Sequence, residues 1–483
     1  MISRHAEWKS ERRRHLLTWA DSTAPKRATW RKRNRFYYED ETRFLKFLTR
    51  KNARILEIGC GTGELLYSLA PEFGVGIDIS EAMISIAKRN FPSLDFICGD
   101  VESLGELANN LGTFDFVVMA DTIGYVEDVQ GVFSKMKPFT NVETRIIVSY
   151  YSQLWRPLIR LAELVRMKMP QPPQSWLSPD AIEHLLELSG FEIVRRDWRL
   201  LSPRKLLGLG HLVNITLGQL PGVRRLCLKH YVIARPRPDG ILGEKPSLSI
   251  VIPCRNEAGN IFQALSRLPD FGTSVEIIFV EGHSTDHTRE EIQKAMTVFS
   301  SVDIKLLHQP GRGKADAVWS GFEAARNDVL MILDADLTVA PEDLVKFYDL
   351  IATGQAEFVN GTRLVYPTEN GSMRILNTIA NHAFARAFSW IINQRMTDTL
   401  CGTKVLSSRN YSMIKEGREY FGSFDPFGDF DLIFGASKIN LKIVELPVRY
   451  ADRSYGSTQI SRFKDGLLLL KMVLFGYRKL KMT

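Results

Sequence analysis

Cysteine is scarce in this chain, and no two cysteines are close enough to form a recognisable motif. The 483 residues contain five cysteines and no C-x-x-C pair: Cys60, Cys98, Cys227, Cys254 and Cys401. An odd, scattered set argues against a disulfide framework and a zinc site, and it favours a reducing, cytoplasmic environment. The sequence also lacks an apolar run of the roughly 18 residues that a spanning helix needs. Its first residues are charged throughout, so no signal peptide is expected.

Acidic residues are few at the N-terminus. Residues 1–50 hold 14 Lys or Arg against 6 Asp or Glu, an excess equal to the net charge of the whole chain, +8. We expect either a solvated, partly mobile arm or an arm attracted to an anionic surface, membrane or nucleic acid. Residues 466–483 are apolar with basic residues at the end, which suits either a helix at a membrane interface or a helix packed on a domain.

A segment rich in proline and glycine divides the sequence. Residues 235–247 carry three prolines and two glycines, and a chain of this length is expected to form two or three domains. On both sides, short β-type runs alternate with helical periods, which predicts two α/β domains with parallel sheets. We expect a lead segment at 1–50, domains at 51–234 and 248–465, and a terminal helix at 466–483.

A glycine cluster follows the first predicted strand in "ILEIGCGTGELL". The strand ends at Glu57, and Gly59, Gly61 and Gly63 precede a helix. Glycines at alternate positions let the backbone turn sharply and approach a ligand closely. Asp78 ends the next strand, where a carboxylate can hold ribose hydroxyls. The pattern predicts a nucleoside cofactor at this turn.

The spacing of the glycines distinguishes two cofactors. A nicotinamide fingerprint, G-x-G-x-x-G, would need glycine where the chain has Glu64. The spacing E-x-G-x-G-x-G, continued by "GIDISEAMISIAKRN", "FICGDVESL" and "FDFVVMADTIGYVEDV", resembles class I S-adenosylmethionine-dependent methyltransferases over residues 35–200. That resemblance implies a Rossmann-like domain with S-adenosylmethionine as its cofactor.

The methyltransferase resemblance also implies roles for individual residues. Glu57 and the three glycines Gly59, Gly61 and Gly63 would face the methionine and ribose, and Asp78 would hold the ribose diol. Asp100 and Val101 would contact the adenine. Asp121 and Tyr125 follow the fourth strand, where the acceptor usually enters. No catalytic base is recognisable in this part of the sequence. Positioning can supply much of the rate of displacement at a sulfonium.

Two aspartates end the apolar stretch "LMILDADLT". In an extended chain, residues two apart point the same way, so Asp334 and Asp336 are expected to share a face and to repel. Oxygen ligands suit Mg²⁺ or Mn²⁺, which seldom occupies an all-protein cage and keeps positions for substrate phosphates. A sugar nucleotide would supply its diphosphate, and the metal would neutralise charge on the departing nucleoside diphosphate.

The surrounding motifs are similar to those of a known family. "SLSIVIPCRNEAGNI", "IIFVEGHSTDHT", "GRGKADAVWSGFEAA" and "TDTLCGTK" resemble GT-A-fold inverting glycosyltransferases of the second sequence family, over residues 247–465. The closest branch resembles dolichyl- or polyprenyl-phosphate sugar synthases. The expected fold class is therefore α/β, a Rossmann-like methyltransferase domain followed by a GT-A (nucleotide-diphospho-sugar transferase) α/β domain.

The glycosyltransferase resemblance implies the site residues. The nucleotide-sugar donor would contact Pro253, Arg255, Glu257, Glu281, Lys314, Asp334, Arg363, Arg453 and Arg462. The loop near the donor sugar and acceptor would supply Asp398, Cys401, Gly402 and Lys404. The metal ligands would be Asp334 and Asp336. The catalytic set would be Asp336 with the second acidic pair, Asp429 and Asp431, which would act as base toward a hydroxyl acceptor or position a phosphate acceptor.

Two departures from the family pattern weaken parts of the analogy. The usual D-D after the second strand is Glu281-Gly282, which leaves the nucleobase preference open. The G-S-K of lipid-phosphate synthases reads Gly456-Ser457-Thr458, without the lysine that would bind phosphate. That change loosens the analogy to a polyprenyl-phosphate acceptor.

The combined motifs predict a bifunctional enzyme of the cytoplasm, peripheral on the cytoplasmic face of the membrane. Its expected partners are a nucleotide-sugar donor and a glycan or lipid-linked acceptor in surface polysaccharide synthesis. One alternative is a glycosyltransferase whose methyltransferase half is a non-catalytic scaffold. Another is a nucleic-acid-binding protein that grips phosphates with the basic arm, but no nucleic-acid-reading fold is recognisable, so no nucleic acid is expected.

Overall fold

A computed structural model describes residues 2–106, 111–238, 240, 244–365, 375–422, 430–451, 455 and 462–483. The chain forms two compact units, Met1–Arg237 with Met482–Thr483, and Pro238–Lys481. Each unit is an α/β domain built around a mixed parallel and antiparallel sheet, so the predicted fold class is confirmed.

The first unit has a seven-stranded sheet within its described residues. Its strands are β1 Arg54–Ile58, β2 Phe73–Asp78, β3 Asp95–Cys98, β4 Phe116–Ala120, β5 Arg145–Tyr151, β6 Phe191–Arg199 and β7 Lys229–Pro236. The order is β3-β2-β1-β4-β5-β7-β6. The five neighbouring strands β3, β2, β1, β4 and β5 pair in parallel. Strand β7 pairs antiparallel with both of its neighbours, β5 and β6. The carboxyl ends of β1, β2, β3 and β4 therefore lie along one edge.

Helices cover this sheet. They are α1 Ile2–Thr23, α2 Arg27–Arg33, α3 Arg35–Leu48, α4 Glu64–Leu69, α5 Glu81–Asn90, α6 Val129–Met136, α7 Arg156–Leu164, α8 Pro179–Leu188 and α9 Leu209–Ile215. Side-chain caps fix where several of them begin: Ser80 accepts a hydrogen bond from the amide of Met83, and Asp128 accepts one from the amide of Gly131. The parallel strands are apolar along most of their length because both faces of the sheet are buried.

The N-terminal segment differs from the expected solvated arm. Residues from Ile2 to Leu48 lie almost entirely in α1, α2 and α3, and α3 buries Phe44, Leu45 and Leu48. Apolar residues recur along α3 at helical spacing, so one face packs on the unit while basic residues remain outside. The expected linker, residues 235–247, also begins later than its composition indicates, because residues 235 and 236 are the last two of β7.

The second unit also has a seven-stranded sheet in its described part. Its strands are β8 Leu248–Cys254, β9 Val275–Glu281, β10 Asp303–His308, β11 Val329–Ile332, β12 Phe358–Thr362, β13 Lys404–Ser407 and β14 Ile443–Pro447. The order is β10-β9-β8-β11-β13-β12-β14. Strands β10, β9, β8 and β11 pair in parallel, and β13 pairs antiparallel with β11 and β12.

The helices of this unit follow the strands. They are α10 Ile261–Ser266, α11 Thr288–Val298, α12 Lys314–Ala324, α13 Leu344–Ala352, α14 Ile375–Ile392, α15 Ser408–Glu416, α16 Arg418–Phe421, α17 Phe430–Lys438 and α18 Arg462–Leu480. Across the part of the chain that the structure describes, no helix combines the length and apolar character needed to cross a membrane.

Candidate active sites

The glycine turn after β1 is tightly built. Gly59, Gly61 and Gly63 adopt φ values of 78°, 54° and 83°, a region that disfavours residues with a Cβ. An ideal Cβ at Gly59 would lie 2.1 Å from Oγ1 of Thr122. The turn therefore requires glycine, and it leaves backbone amides close to the carboxyl edge of the sheet.

The carboxylate of Glu57 lies buried at the end of β1. Burial raises its pKa to about 8, and Oε2 has no hydrogen-bond partner among the described residues. An unsatisfied buried carboxylate oxygen is costly unless a donor or cation reaches it. Glu57 therefore offers a buried acceptor oxygen that no described residue satisfies.

Asp78 is held in place at the end of β2. Its Oδ2 accepts a hydrogen bond of 2.8 Å from the amide of Gly61, and its Oδ1 accepts one of 3.0 Å from the amide of Ser80. Burial raises the pKa of Asp78 against the lowering effect of these two amides. Each oxygen keeps a further lone pair, so the carboxylate can still accept hydrogen bonds from a diol.

Asp100 and Val101 follow β3 at the same edge. Oδ1 of Asp100 accepts a hydrogen bond of 2.8 Å from the amide of Glu102, and its other oxygen forms an ion pair with Arg13 of α1. Asp100 therefore caps the turn that follows β3. Both residues nevertheless line the cavity next to them, so capping and ligand contact are compatible.

One cavity of about 420 Å³, the N-terminal cavity, is lined by most of the predicted cofactor residues, but not by Gly61 and Gly63. Its lining includes Glu57, Gly59, Asp78, Asp100 and Val101. Its volume lies in the usual range for small-molecule sites, about 300 to 1,000 Å³. Residues of α1, α2 and α3 complete the wall.

Arg27 occupies the space beside the glycine turn. An ideal Cβ at Gly61 would lie 2.9 Å from Nη2 of Arg27, and Nε of Arg27 has no hydrogen-bond partner within the described residues. Arg27 and Glu57 thus present a guanidinium nitrogen and a carboxyl oxygen without hydrogen-bond partners among the described residues to one cavity, and a cation bound at Glu57 would favour its charged form. This pair is complementary to an amino-acid group, whose carboxylate and ammonium carry the matching charges.

A buried polar cluster forms another part of the cavity wall. Lys229 is fully buried, lies 2.9 Å from Oδ1 of Asp121 and also pairs with Glu41. The Tyr37 hydroxyl donates to Oδ2 of Asp121 at 2.5 Å and lies 3.3 Å from the hydroxyl of Tyr151. Burial alone would lower the pKa of Lys229, but Asp121 and Glu41 raise it above its ordinary value, so the lysine stays charged.

The sequence interpretation missed Tyr37, Glu41 and Lys229. A usable signal exists only for Lys229, a charged residue that opens the apolar run "HYVIA". Lys229 and Glu41 are 188 positions apart, so the pairing itself left no local pattern. The cluster places Asp121, which follows β4, at the cavity beside the hydroxyl groups of two tyrosines.

In the second unit, Asp334 and Asp336 lie in the turn after β11. The strand ends at Ile332, so the argument that the two carboxylates share a strand face is wrong. Asp334 accepts from Lys314 Nζ at 2.7 Å. Oδ1 of Asp336 accepts from the amide and the hydroxyl of Thr338, at 3.1 and 2.8 Å. Different partners thus hold the two acids in place.

Positive charge surrounds Asp334. Burial would raise its pKa, but Lys314, Lys404 and Arg363 hold the pKa below its usual range. An ideal Cβ at Gly402 would lie 1.8 Å from Oδ2 of Asp334 and 2.4 Å from Nζ of Lys314. Glycine at this position therefore allows the loop to lie against the ion pair.

The residues expected at the nucleotide end cluster where β8 and β9 finish. Pro253 lies in β8, and Arg255 and Glu257 follow that strand. Oε2 of Glu257 accepts from Nδ2 of Asn260 at 2.7 Å. Glu281 ends β9, where its carboxylate accepts from the amide of Ser284, and a hydrogen bond of 2.9 Å between Gly282 N and Cys254 O joins the two strand ends.

Arg363 and Asp398 form a bidentate ion pair. Nε and Nη2 of Arg363 lie 2.6 and 2.9 Å from the two oxygens of the buried Asp398. Glu445, which the sequence interpretation missed, accepts from the amides of Thr397 and Asp398 at 2.7 and 3.1 Å. Lys404 Nζ donates to the carbonyl of Cys401. The predicted loop is thus held rigidly, and Arg363 acts on it through Asp398.

One member of the predicted second acidic pair, Asp431, lies among the described residues. Asp431, on α17, is buried; burial raises its pKa against the lowering effect of Arg418, which lies 3.0 Å away. Arg418 in turn lies 4.2 Å from the ring centroid of Trp319 on α12, the helix that begins with Lys314. Asp429 and Arg453 lie outside the described residues, and Arg462 is the first residue of α18.

Asp334 and Asp336 have the oxygen donors that a divalent cation prefers, but no complete set of protein ligands surrounds them among the described residues. No group of three or more His, Cys, Asp or Glu side chains comes together as a metal set in the described part of the chain. Asp334 and Asp336 nevertheless offer hard oxygen donors, and Lys314 already places one positive charge at the first of them. An ion held by only two carboxylates keeps coordination positions free for substrate phosphates.

Family models match both units. Residues 29–196 match the model described as "Methyltransferase domain", and residues 249–415 match "Glycosyl transferase family 2". The chain therefore joins a methyltransferase-type domain to a domain of the family 2 glycosyltransferase type, and both resemblances are confirmed.

Individual proteins are similar to parts of the chain. Glycosyltransferase AglJ of Haloferax volcanii is 27% identical over 249 residues, covering 51% of this chain and 74% of that protein. Dolichol-phosphate mannosyltransferase of Pyrococcus furiosus is 33% identical over 121 residues, covering 24% of this chain and only 33% of that protein. A solved SAM-dependent methyltransferase from Thermotoga maritima is 18% identical, covers 46% of this chain and 99% of its own, and has a TM-score of 0.35.

Proposed function

We propose that the chain is a bifunctional transferase that uses S-adenosylmethionine in its first unit and a nucleotide-sugar in its second. The observation that carries the proposal is that each unit gathers motif residues at the carboxyl ends of its parallel strands. Glu57, Asp78 and Asp100 line one cavity in the first unit. In the second, Asp334 pairs with Lys314 next to Gly402.

In the first unit, the chain's own residues match the parts of the proposed cofactor. When bound, S-adenosylmethionine supplies an electrophilic methyl group. Glu57 would meet the methionine ammonium, Arg27 would meet its carboxylate, and Asp78 would accept hydrogen bonds from the ribose diol. Asp100 and Val101 would contact the adenine. Because reaction at a sulfonium needs an aligned nucleophile, the main task of the cavity is to orient the acceptor and exclude water.

The methyl acceptor would lie next to Asp121 and Tyr37. The hydroxyl of Tyr37 donates to Asp121, and Lys229 keeps that carboxylate paired with a positive charge. A carboxylate held at this position can accept a proton from an acceptor hydroxyl or amine. Tyr125, whose hydroxyl accepts from Nε2 of Gln174 at 2.7 Å, lines the same cavity.

In the second unit, Asp334 and Asp336 would hold Mg²⁺ or Mn²⁺. A bound divalent ion would supply positive charge opposite the diphosphate of the donor. Lys314 adds a further charge there, while Arg363 fixes Asp398 and so positions the loop that ends at Lys404. Asp431 would act as base toward a hydroxyl acceptor or would position a phosphate acceptor, and Asp429 and Arg453 would complete the site.

The acceptor of the sugar is proposed to be a glycan or a lipid-linked, polyprenyl-phosphate type molecule in cell-surface polysaccharide synthesis. The support is that similar proteins include a dolichol-phosphate mannosyltransferase. Joining two transferases in one chain raises the local concentration of an intermediate that both units use. We propose that residues 51–234 and 248–465 carry the sequence motifs of the two activities. Arg27, Tyr37 and Glu41, which precede residue 51, complete the first site, and the linker begins after β7 ends at Pro236.

Ligand-dependent thermal stabilisation tests both halves. S-adenosylmethionine should raise the melting temperature of the chain without any metal, and one nucleotide-sugar should raise it only with Mn²⁺. Calorimetry should then give one methyl-donor site per chain. Absence of methyl-donor binding would leave the glycosyltransferase with a scaffold domain, and absence of any nucleotide-sugar effect would remove the glycosyltransferase half of the proposal.

A further inference from the structure

Two segments of the first unit expose leucine side chains to solvent. We call their exposed leucines the leucine patch; its most prominent members are Leu154, Leu158, Leu161, Leu164, Leu207 and Leu209. Residue 164 is 80% exposed, and residue 207 is fully exposed. Single exposed leucines are ordinary, but a group confined to two neighbouring segments marks an interaction surface.

The first segment is α7 with the residue positions just before it. Leu154, Leu158, Leu161 and Val165 follow a spacing of four, three and four, so they form one helical face. All four are more than half exposed, whereas Ile159 on the other side of the helix is buried. The helix therefore packs with its minor apolar side and leaves its major apolar side unpaired.

The second segment is the loop around α9. Its base is closed by Asn214, which is buried and forms hydrogen bonds of 2.8 and 2.9 Å with the backbone of Ser202. At its tip, Leu207 adopts a φ of 54°, which is unfavourable for a leucine, and its side chain is completely exposed. A strained backbone and a fully exposed leucine contribute no stability to this unit itself. Their combination points to a binding partner outside it.

A hydrogen bond connects the two parts of the chain, and both contribute residues to the wall of the N-terminal cavity. Nε1 of Trp155, the residue before α7, donates to the carbonyl of Leu226 at 2.8 Å. Leu158 and Met167 of one segment and Arg204 next to the other line the same cavity. The leucine patch therefore adjoins the wall of the cavity in which the methyl acceptor is proposed to bind.

The charges around the patch have one sign. Residues 156–168 and 204–225 contain eight Lys or Arg and a single acidic residue, Glu163. Arg160, Arg166 and Lys205 are exposed. Protruding leucines with basic side chains beside them are complementary to an anionic lipid surface, where the apolar groups enter the interface and the cations contact the headgroups.

We propose that the leucine patch docks on an anionic lipid bilayer and so brings the adjoining wall of the N-terminal cavity to the membrane surface. Resting on the proposed methyl transfer, this docking would bring a lipid-anchored acceptor to the cavity directly from the bilayer. The surface is distinct from the terminal helix α18 and from the basic N-terminal segment, so mutation can separate their contributions.

Vesicle co-sedimentation tests the proposal on the full chain. Vesicles of phosphatidylcholine mixed with phosphatidylglycerol should retain the protein better than phosphatidylcholine alone, and salt should weaken the retention. The triple variant Leu161→Asp, Leu164→Asp, Leu207→Asp should lower the apparent vesicle affinity by at least about tenfold. A matched control, Leu188→Asp, changes a leucine on α8 that is 56% exposed and should bind as the unmodified chain does.

A second variant distinguishes the terminal helix. Leu467→Asp with Leu470→Asp and Leu474→Asp changes exposed leucines of α18 and should leave most vesicle binding intact. Loss of binding in this variant with retention in the patch variant would overturn the proposal, as would an unmodified chain that ignores anionic vesicles.

Calorimetry with S-adenosylmethionine on every variant separates this inference from the proposed function. Normal methyl-donor binding by the triple variant shows that it is folded, so its lost vesicle affinity supports the patch. If all variants fail to bind the methyl donor while vesicle binding follows the patch, the proposed methyl transfer fails and the docking surface stands.

Discussion

Arg27 lies against Gly61, with Nη2 2.9 Å from the point where a Cβ of residue 61 would stand. The contact joins α2 to the turn after β1. The family match begins at residue 29, so it includes the turn but not Arg27. It places a positive charge where the backbone is most open to a ligand.

Gly61→Val should abolish binding of S-adenosylmethionine. A branched side chain would collide with Arg27 and would force a φ of 54° on a β-branched residue. Calorimetry measures the effect directly. Gly112→Val is the matched control, because φ is 67° there and the nearest atom to an added Cβ is 3.9 Å away. Unchanged affinity in the Gly61 variant would rule out the glycine turn as the cofactor site.

Glu57 should make the stability of the first unit depend on pH. Burial raises its pKa to about 8, above the ordinary 4.5, so its contribution is complete below pH 4.5 and is lost as the pH rises through about 8. Relative to Glu57→Gln, the unmodified chain should therefore lose on the order of a few kcal/mol across that range. Denaturant unfolding of both chains at several pH values measures the difference.

The exposed Glu72 supplies the control for this pH dependence. The Glu72→Gln variant should follow the unmodified chain at every pH. Parallel curves for Glu57→Gln and the unmodified chain would contradict the burial argument.

Lys229→Met should destabilise the first unit by about 3–5 kcal/mol, because it leaves Glu41 and Asp121 buried without their cation. Arg35→Met removes an exposed helical ion pair with Glu39 and should cost at most about 1 kcal/mol. Urea unfolding followed by tryptophan fluorescence compares them. Adding Glu41→Gln to the Lys229 variant should restore part of the loss, and a cost equal to that of the Arg35 control would refute the buried pair.

Asp336→Asn should remove the Mn²⁺-dependent stabilisation by nucleotide-sugars and leave S-adenosylmethionine binding intact. The amide keeps an oxygen that can accept from Thr338 but loses the charge that would hold a divalent ion. Asp270→Asn, an exposed loop change, is the control and should bind both ligands. Loss of both ligands in the Asp336 variant would contradict separate sites on the two units.

Strands and strand-end motifs were predictable because parallel strands are buried on both faces. Their apolar runs stand out in the sequence: the runs within "ILEIGCGTGELL", "FDFVVMADTIGYVEDV", "SLSIVIPCRNEAGNI" and "LMILDADLT" coincide with β1, β4, β8 and β11. Asp78 and Asp100 were found for the same reason, since each follows such a run. The placement of Asp334 and Asp336 failed because β11 stops at Ile332, and an apolar run does not reveal where its hydrogen bonding ends.

The polar cluster around Lys229 and the role of Arg27 were not predictable. Both depend on helices before residue 50 folding onto the sheet, and basic side chains dominate the composition of those helices. Only the spacing of Phe44, Leu45 and Leu48 carries a packing signal, and it does not indicate which surface is covered. Long-range pairing of buried charges leaves no periodic trace in a single sequence.

The wall that α1 and α2 add to the N-terminal cavity bears on how the protein is dissected. The family match starts at residue 29, yet Arg13, Trp19 and Arg27 line the cavity from positions before it. An excised fragment cut at the match would keep every sequence motif and still lack part of the enclosure. Inactivity of such a fragment would reflect the missing wall and would carry no information about the chemistry of the intact chain.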